Sequence, residues 1–231
     1  MKTFIYFGQR GAWLALSVAG LLLAGCHTPI PNSLSTHDSA KWQNEIRALE
    51  ASDVTNRPPP GSIVFVGSSS IKRWKTLAAD FPDLPVFNRG FGGSQLADSV
   101  NYAERIVIPY RPREVVIYAG GNDINAGKSA EVVFGDFVAL AEKIRKASPK
   151  TRVAFISIAP NPSRWKEVEK VKAANSLIER YCRRHHLIFI NVFHLMLGPD
   201  GKPKPDIFVA DRLHMNEKGY RIWREAVRPY L

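Results

Sequence analysis

The chain has 231 residues, 45% of them hydrophobic and 23% charged, a composition that excludes a disordered polymer and suits one globular core. Thirty-two Lys and Arg against 21 Asp and Glu leave a formal net charge of +11, so anionic partners must be weighed. The cations are scattered, with Arg183-Arg184 and Arg111-Pro112-Arg113 the densest patches, and no zinc-finger spacing or RNA-binding aromatic signature joins them. Nucleic acid is therefore not expected as a partner.

Residues 1–25 read as a signal peptide. Lys2 and Arg10 precede an apolar run from Ala12 to Leu23 that is too short to span a bilayer. The ending Leu23-Ala24-Gly25-Cys26 resembles the lipobox of bacterial lipoproteins. That resemblance implies cleavage before Cys26 and lipidation of its thiol. The expected location is then the bacterial cell envelope, anchored through lipid in the outer membrane or periplasm, with His27 rather than Asp favouring the outer membrane. Once Cys26 is lipidated only Cys182 remains, so no internal disulfide is expected, and Cys182 reads as a buried core residue.

Residues 26–36 are polar with two prolines and read as a tether. Residues 37–60 read as an N-terminal helical arm with Trp42, Ile46 and Leu49 on one face, stopped by Arg57-Pro58-Pro59-Pro60-Gly61. From residue 61 to 231 apolar runs alternate with amphipathic segments. The runs are Ile63–Gly67, Val86–Asn88, Glu114–Ala119, Arg152–Ile158 and Leu187–Val192. Helical stripes lie at Leu96, Val100, Ala103 and Val107; at Val133, Phe137, Leu140, Ala141 and Ile144; at Val168, Val171, Ala174, Ile178 and Cys182; and at Ile222, Trp223, Ala226 and Val227. This alternation predicts an α/β domain, a five-stranded parallel sheet flanked by helices, with sites outside the carboxyl ends of the strands.

Four turns follow strands or precede helices at that end. After the first strand comes Gly67-Ser68-Ser69-Ser70, and then Ile71, Trp74, Leu77 and Ala78 recur at helical spacing. A serine there can be a nucleophile beside a helix N-terminus or a plain helix cap. After the second comes Asn88-Arg89-Gly90-Phe91-Gly92-Gly93, whose glycines let backbone N–H groups approach a ligand or simply make a flexible turn. After the third comes Gly120-Gly121-Asn122-Asp123, where Asn122 is an amide donor or a turn former. Near the C-terminus Asp211-Arg212-Leu213-His214 spaces a carboxylate to reach back to the imidazole Nδ1 and leave Nε2 as a base. A metal site is not expected: His185-His186 is the only other His cluster, and it precedes a strand, at the wrong end of the sheet.

Together the turns offer a hydroxyl, a base, an orienting carboxylate and donors for an oxyanion, the parts of an acyl-transfer site. The order Ser, Asp, His matches α/β-hydrolases, yet their Gly-x-Ser-x-Gly elbow is missing. The four blocks from Gly61 to Tyr220 resemble the GDSL/SGNH hydrolases, an esterase family. The resemblance implies Ser69 as nucleophile, Asp211 and His214 as its partners, and Ser69, Gly93 and Asn122 as oxyanion-hole donors. It implies no cofactor and no metal. One departure stands out: Ser68 occupies the place where the family has Asp beside the nucleophile.

The activity so implied is a serine esterase or acyl hydrolase cleaving lysophospholipid or small acyl and acetyl esters, with an envelope or extracellular polysaccharide deacetylase as an alternative. A non-catalytic surface binding lipoprotein is the reading from another class. The expected partners are a small-molecule, lipid or glycan ester substrate and a membrane reached through the N-terminal anchor. Arg89, Arg164 and Lys166 are expected near the cleft, and the Gly- and Pro-rich segment from Phe193 to Ala210 is expected to border it.

Overall fold

A computed structural model describes Met1 and residues 30–231; most of the stretch read as a signal peptide, and the expected lipidation site at Cys26, lie outside the described residues. The core is one parallel sheet of five strands, β1 (Ile63–Gly67), β2 (Val86–Gly90), β3 (Glu114–Tyr118), β4 (Arg152–Ile156) and β5 (Ile188–Ile190), in the order β2-β1-β3-β4-β5. Register pairs Gly67 with Gly90 on one side and with Tyr118 on the other. The chain leaves β1 toward β2, then returns past it to β3, so the switch point lies between β1 and β3. Ligands in open parallel sheets gather outside the strand ends at such a point.

Both faces of the sheet are covered, which explains why the strands read as unbroken apolar runs. Val64, Val66, Val115, Ile117 and Phe155 face α4 (Leu96–Ile106), α6 (Ala130–Ala147) and α7 (Val168–His185). Ile63, Phe65, Val116 and Ile156 face α2 (Ser69–Arg73), α3 (Leu77–Asp80) and α8 (Glu217–Val227). The remaining helices are α1 (Gln43–Asn56) and the short α5 (Gly121–Asn125). Cys182 is buried in the first of these layers, as its place on the α7 stripe predicts. Among the described residues no helix is long and apolar enough to cross a membrane.

The structure differs from the sequence expectations at three places. The stripe Ile71–Ala78 is not one helix but two, α2 and α3. Asn88 sits at the break: its Nδ2 donates to the Ile71 and Trp74 carbonyls, which also accept the Trp74 and Leu77 N–H groups in tight turns. The end of the stretch read as a tether is bonded to the domain. Ser33 donates through both N–H and Oγ to the buried Asp136 carboxylate of α6, at 2.8 Å each. Arg89, expected near the cleft, is instead buried, ion-paired with Asp53 of α1 and stacked on the Tyr110 ring.

Candidate active site

Strand β1 ends at Gly67, where φ is +145° and an added Cβ would lie 1.9 Å from the Tyr118 carbonyl oxygen. Only glycine fits that approach, and it lets the chain turn sharply into α2 with Ser69 as the first helical residue. Ser68 occupies the N-cap position without a side-chain cap bond. The Ser69 N–H therefore belongs to the unpaired first turn of a helix. From below, α8 fixes this turn. Tyr220 donates to the Ser70 carbonyl at 2.8 Å, and Trp74 packs on Tyr220 and Trp223 with ring centroids 5.4 and 5.9 Å away.

Ser69 Oγ lies 2.9 Å from His214 Nε2, and His214 Nδ1 lies 2.6 Å from Asp211 Oδ2. A carboxylate can only accept, so Nδ1 carries the proton and Nε2 presents its lone pair to the serine hydroxyl. The other Asp211 oxygen accepts the N–H groups of Leu213 and His214 at 2.9 Å each. Partial burial pushes the Asp211 carboxyl up, but the His214 ring and these two N–H groups outweigh it and bring it down to about 2. The loop itself is fastened by Asn216. Its Oδ1 caps α8 at Lys218 and Gly219, while its Nδ2 donates to the Asp206 and Phe208 carbonyls.

The donor side comes from the turns after β2 and β3. Asn122 Nδ2 donates one hydrogen to the Ser94 carbonyl at 3.0 Å and keeps the other free for a ligand. A Cβ placed on Gly93 would lie 3.7 Å from that nitrogen, so the Gly93 backbone and the Asn122 amide are neighbours. Among the described residues neither the Gly93 N–H nor the Ser69 N–H has a backbone partner. The structure thus brings Ser69, Gly93, Asn122, Asp211 and His214 to one place. Each was singled out from the sequence.

Their supports were not read as such, Arg164 being expected only as a cation near the cleft. Arg164 Nη1 donates to Asn122 Oδ1 at 2.9 Å and to the Gly121 carbonyl at 3.1 Å, which fixes the amide with its nitrogen toward the site. Asp123, fully buried, accepts the Leu96 N–H at 3.1 Å and so joins the turn after β3 to the turn after β2. Lys128 sits between Asp123 and Asp136 at 3.0 and 2.9 Å. Burial pushes the Asp123 carboxyl up, and Lys128 offsets this only in part. On the outer side Glu45 of α1 accepts the Gly92 N–H at 2.8 Å, and Trp42 packs so closely that a Cβ on Gly92 would lie 1.8 Å from its ring. A carboxylate on α1 has no local pattern to betray it. Asp123, adjacent to Asn122, was visible only as a turn former.

Two cavities meet at Ser69. One is small, about 40 Å³, and is lined by Tyr118, Ile158, Trp165, Met196, Phe208 and Trp223 together with polar groups that include Ser68, Ser70, Asn161 and Glu167. Its wall at Ile158 is held by Asn175 of α7, which bonds both the N–H and the carbonyl of that residue at 2.8 and 3.0 Å. Met196 and Phe208 belong to the Phe193–Ala210 segment, which does border the site. The other cavity is an open groove of about 590 Å³ that shares Ser69, Asn122, Arg164 and His214. Perturbed ionisation alone would have pointed elsewhere, because burial pushes Glu114, at the amino end of β3, up to about 7 against Arg152 and Arg113. Glu114 is a fold residue at the opposite end of the sheet.

A sequence profile of the GDSL-like lipase/acylhydrolase family matches residues 61–222. The chain is 27% identical over 171 residues to platelet-activating factor acetylhydrolase IB subunit alpha1 of Rattus norvegicus, covering 68% of this chain and 69% of that one. Its human counterpart is 26% identical over 171 residues, covering 68% and 70%. Among solved structures, a GDSL-like lipase from Bacteroides thetaiotaomicron superposes with a TM-score of 0.68 at 23% identity, covering 83% of this chain and 96% of that one. An acetyl-xylooligosaccharide esterase from Geobacillus superposes at 0.60 with 15% identity, covering 74% and 94%. Five parallel strands between helices are shared with these structures. The chain belongs to the GDSL-like lipase/acylhydrolase family of ester-cleaving hydrolases.

Proposed function

We propose that the protein is a serine esterase that removes short acyl groups, acetyl foremost, with Ser69, His214 and Asp211 as its triad and Ser69, Gly93 and Asn122 as its oxyanion hole. Ser69 Oγ attacks the ester carbonyl while its proton passes to His214 Nε2. Asp211 holds the imidazole in the required tautomer and stabilises its positive charge. The carbonyl oxygen, now an anion, accepts from the Ser69 and Gly93 N–H groups and the Asn122 amide. As the tetrahedral species collapses, Nε2–H protonates the leaving alcohol. Water then attacks the acyl-serine, giving its proton to Nε2, and release of the carboxylic acid restores the Ser69 hydroxyl. The observation that carries this reading is the unbroken line from Ser69 through His214 to Asp211, at 2.9 and 2.6 Å.

The acetyl preference rests on the tight cavity. At about 40 Å³ that cavity is more than tenfold smaller than the groove of about 590 Å³, so it suits a small acyl group such as acetyl. A lysophospholipid acyl chain does not fit there; it would have to lie along the open groove with much of its surface in water. The acetylhydrolase relatives, named for removal of an acetyl group, support the same choice. Membrane attachment through Cys26 is part of the proposal, and Cys26→Ser should move the protein from the membrane to the soluble fraction.

The test of chemistry is Ser69→Ala. Hydrolysis of p-nitrophenyl acetate should fall by at least about 10³-fold with the fold retained, and fluorophosphonate labelling should vanish. Wild-type activity in this variant would refute the nucleophile, and a folded wild-type protein that neither reacts nor labels would favour a binding protein. The acyl preference is tested by p-nitrophenyl decanoate. Its kcat/KM should be lower than that of the acetate by on the order of 10²-fold, because overfilling a packed cavity costs about 1–3 kcal/mol.

A further inference from the structure

The open groove beside Ser69 is lined by Lys72, Arg73, Lys75 and Arg164, and by no Asp or Glu. Three of these cations come from a single turn of chain. Trp74 is buried beneath α8, so Lys72, Arg73 and Lys75 on either side of it are exposed. Lys72 is neutralised by Glu45 at 2.7 Å. Arg73 and Lys75 have no carboxylate within 4 Å among the described residues, and Arg164 uses only Nη1 on Asn122 and Gly121, leaving Nη2 and Nε for a ligand. A concave surface lined by one sign of charge concentrates its field and raises the local concentration of the opposite sign.

Resting on the esterase reading above, we infer that the substrate is an acetyl ester whose alcohol part carries an anionic group, a phosphate or a carboxylate, held in this groove by Arg73, Lys75 and Arg164. The two cavities divide the ester between them. The acetyl group fills the tight cavity of about 40 Å³, which leaves the groove of about 590 Å³ for the alcohol. His214, which must protonate the leaving oxygen, borders both cavities, so it is the larger size of the groove that assigns the alcohol to the side where the cations lie. Arg164 stands where the cavities meet. It can present two N–H donors to an anion while its other nitrogen orients Asn122, a fork that lysine cannot supply. Binding the anion therefore places the ester carbonyl against the oxyanion donors.

The test compares 4-acetoxybutanoate with 4-acetoxybutanamide, which differ at the remote end in charge and hardly at all in shape. Wild-type kcat/KM should favour the anion by about tenfold or more at low ionic strength. That advantage should shrink between about 0.01 M and about 1 M salt, as the screening length falls from about 30 to about 3 Å. Arg73→Glu/Lys75→Glu should erase or invert the preference, chiefly through KM. Arg183→Glu/Arg184→Glu, an equal change of net charge at the far end of α7, should preserve it. In a parallel arm, 2-acetoxyethyl phosphate against 2-methoxyethyl acetate tells whether phosphate or carboxylate is the better anion.

Equal rates for acid and amide would overturn the inference, as would equal losses in both double variants, since net charge rather than the groove would then be responsible. Those results leave the esterase reading intact. That reading fails separately, and takes the inference with it, if the wild-type protein cleaves neither these esters nor p-nitrophenyl acetate and does not label.

Discussion

Asp211 and His214 stand three residues apart on a surface loop, with the Asp211 side chain 43% exposed, whereas Gly93 and Asn122 come from two different turns braced from beneath by buried charges. The acid–base half of the site is a local construction. Its side-chain hydrogen bonds run within Asp211–His214, and the loop is held mainly by neighbours, Val209 and Asn216, with the Ser163 N–H on the Arg212 carbonyl as a more distant tie. The oxyanion half is a long-range one, in which Glu45, Asp123 and Arg164 each reach across the chain to fix a single amide or turn, while Lys128 and Asp136 form a local buried charge cluster with Asp123. The chemistry suggests why. An imidazole must rotate slightly as it shuttles a proton, while donors to a developing oxyanion help most when they need no rearrangement.

Four substitutions would break or sharpen this contrast. Asp211→Asn should lower kcat on p-nitrophenyl acetate by on the order of 10³-fold or more, because the imidazole loses both its tautomer and its counter-charge, with little change in Tm. The carboxyl of Asp211 has been drawn down to about 2, so its charge is present above that value and lost only as pH falls through it. The wild-type pH–rate profile should accordingly show no step from Asp211 above pH 4. Asn122→Ala should cost about 10²–10³ in kcat with KM nearly unchanged, the usual cost of one oxyanion donor.

Lys128→Met addresses the brace. It strands two buried carboxylates and should destabilise the fold by about 3 kcal/mol at neutral pH, measured by urea unfolding. Stranded carboxylates bind protons more tightly folded than unfolded, so the loss should be largest at high pH and ease as pH falls. If Lys128→Met is as stable as wild type, the buried brace is not what holds the oxyanion half. Glu45→Ala should have the smallest effect, about 3–10-fold in kcat, since it frees the Gly92 turn by one hydrogen bond worth about 1 kcal/mol. A large fall in Tm without a fall in kcat would show that α1 serves the fold and not the hole.

Much of this was legible from local pattern. Continuous apolar runs gave the strands because both faces of the sheet are covered, and the Asp-x-x-His spacing is itself the hydrogen bond that forms. Where reading failed, a distant side chain intervened. Asn88 bonds the break in the Ile71–Ala78 stripe, Asp136 captured Ser33, and Asp53 with Tyr110 drew Arg89 into the interior. The basic residues that do reach the cleft besides Arg164 are Lys72, Arg73 and Lys75, which the burial of Trp74 turns outward.

The sequence by itself determined the alternation of strand and helix, the places where reactive side chains emerge and the pairing of Asp211 with His214, because each depends on residues a few positions apart. Only the tertiary structure decided that Arg164 and Asp123 steady the donors, and that a small cavity meets a basic groove at the Ser69 hydroxyl. These features are set by contacts between segments remote along the chain. Such contacts exist only once the sheet has brought the ends of β1, β2 and β3 together.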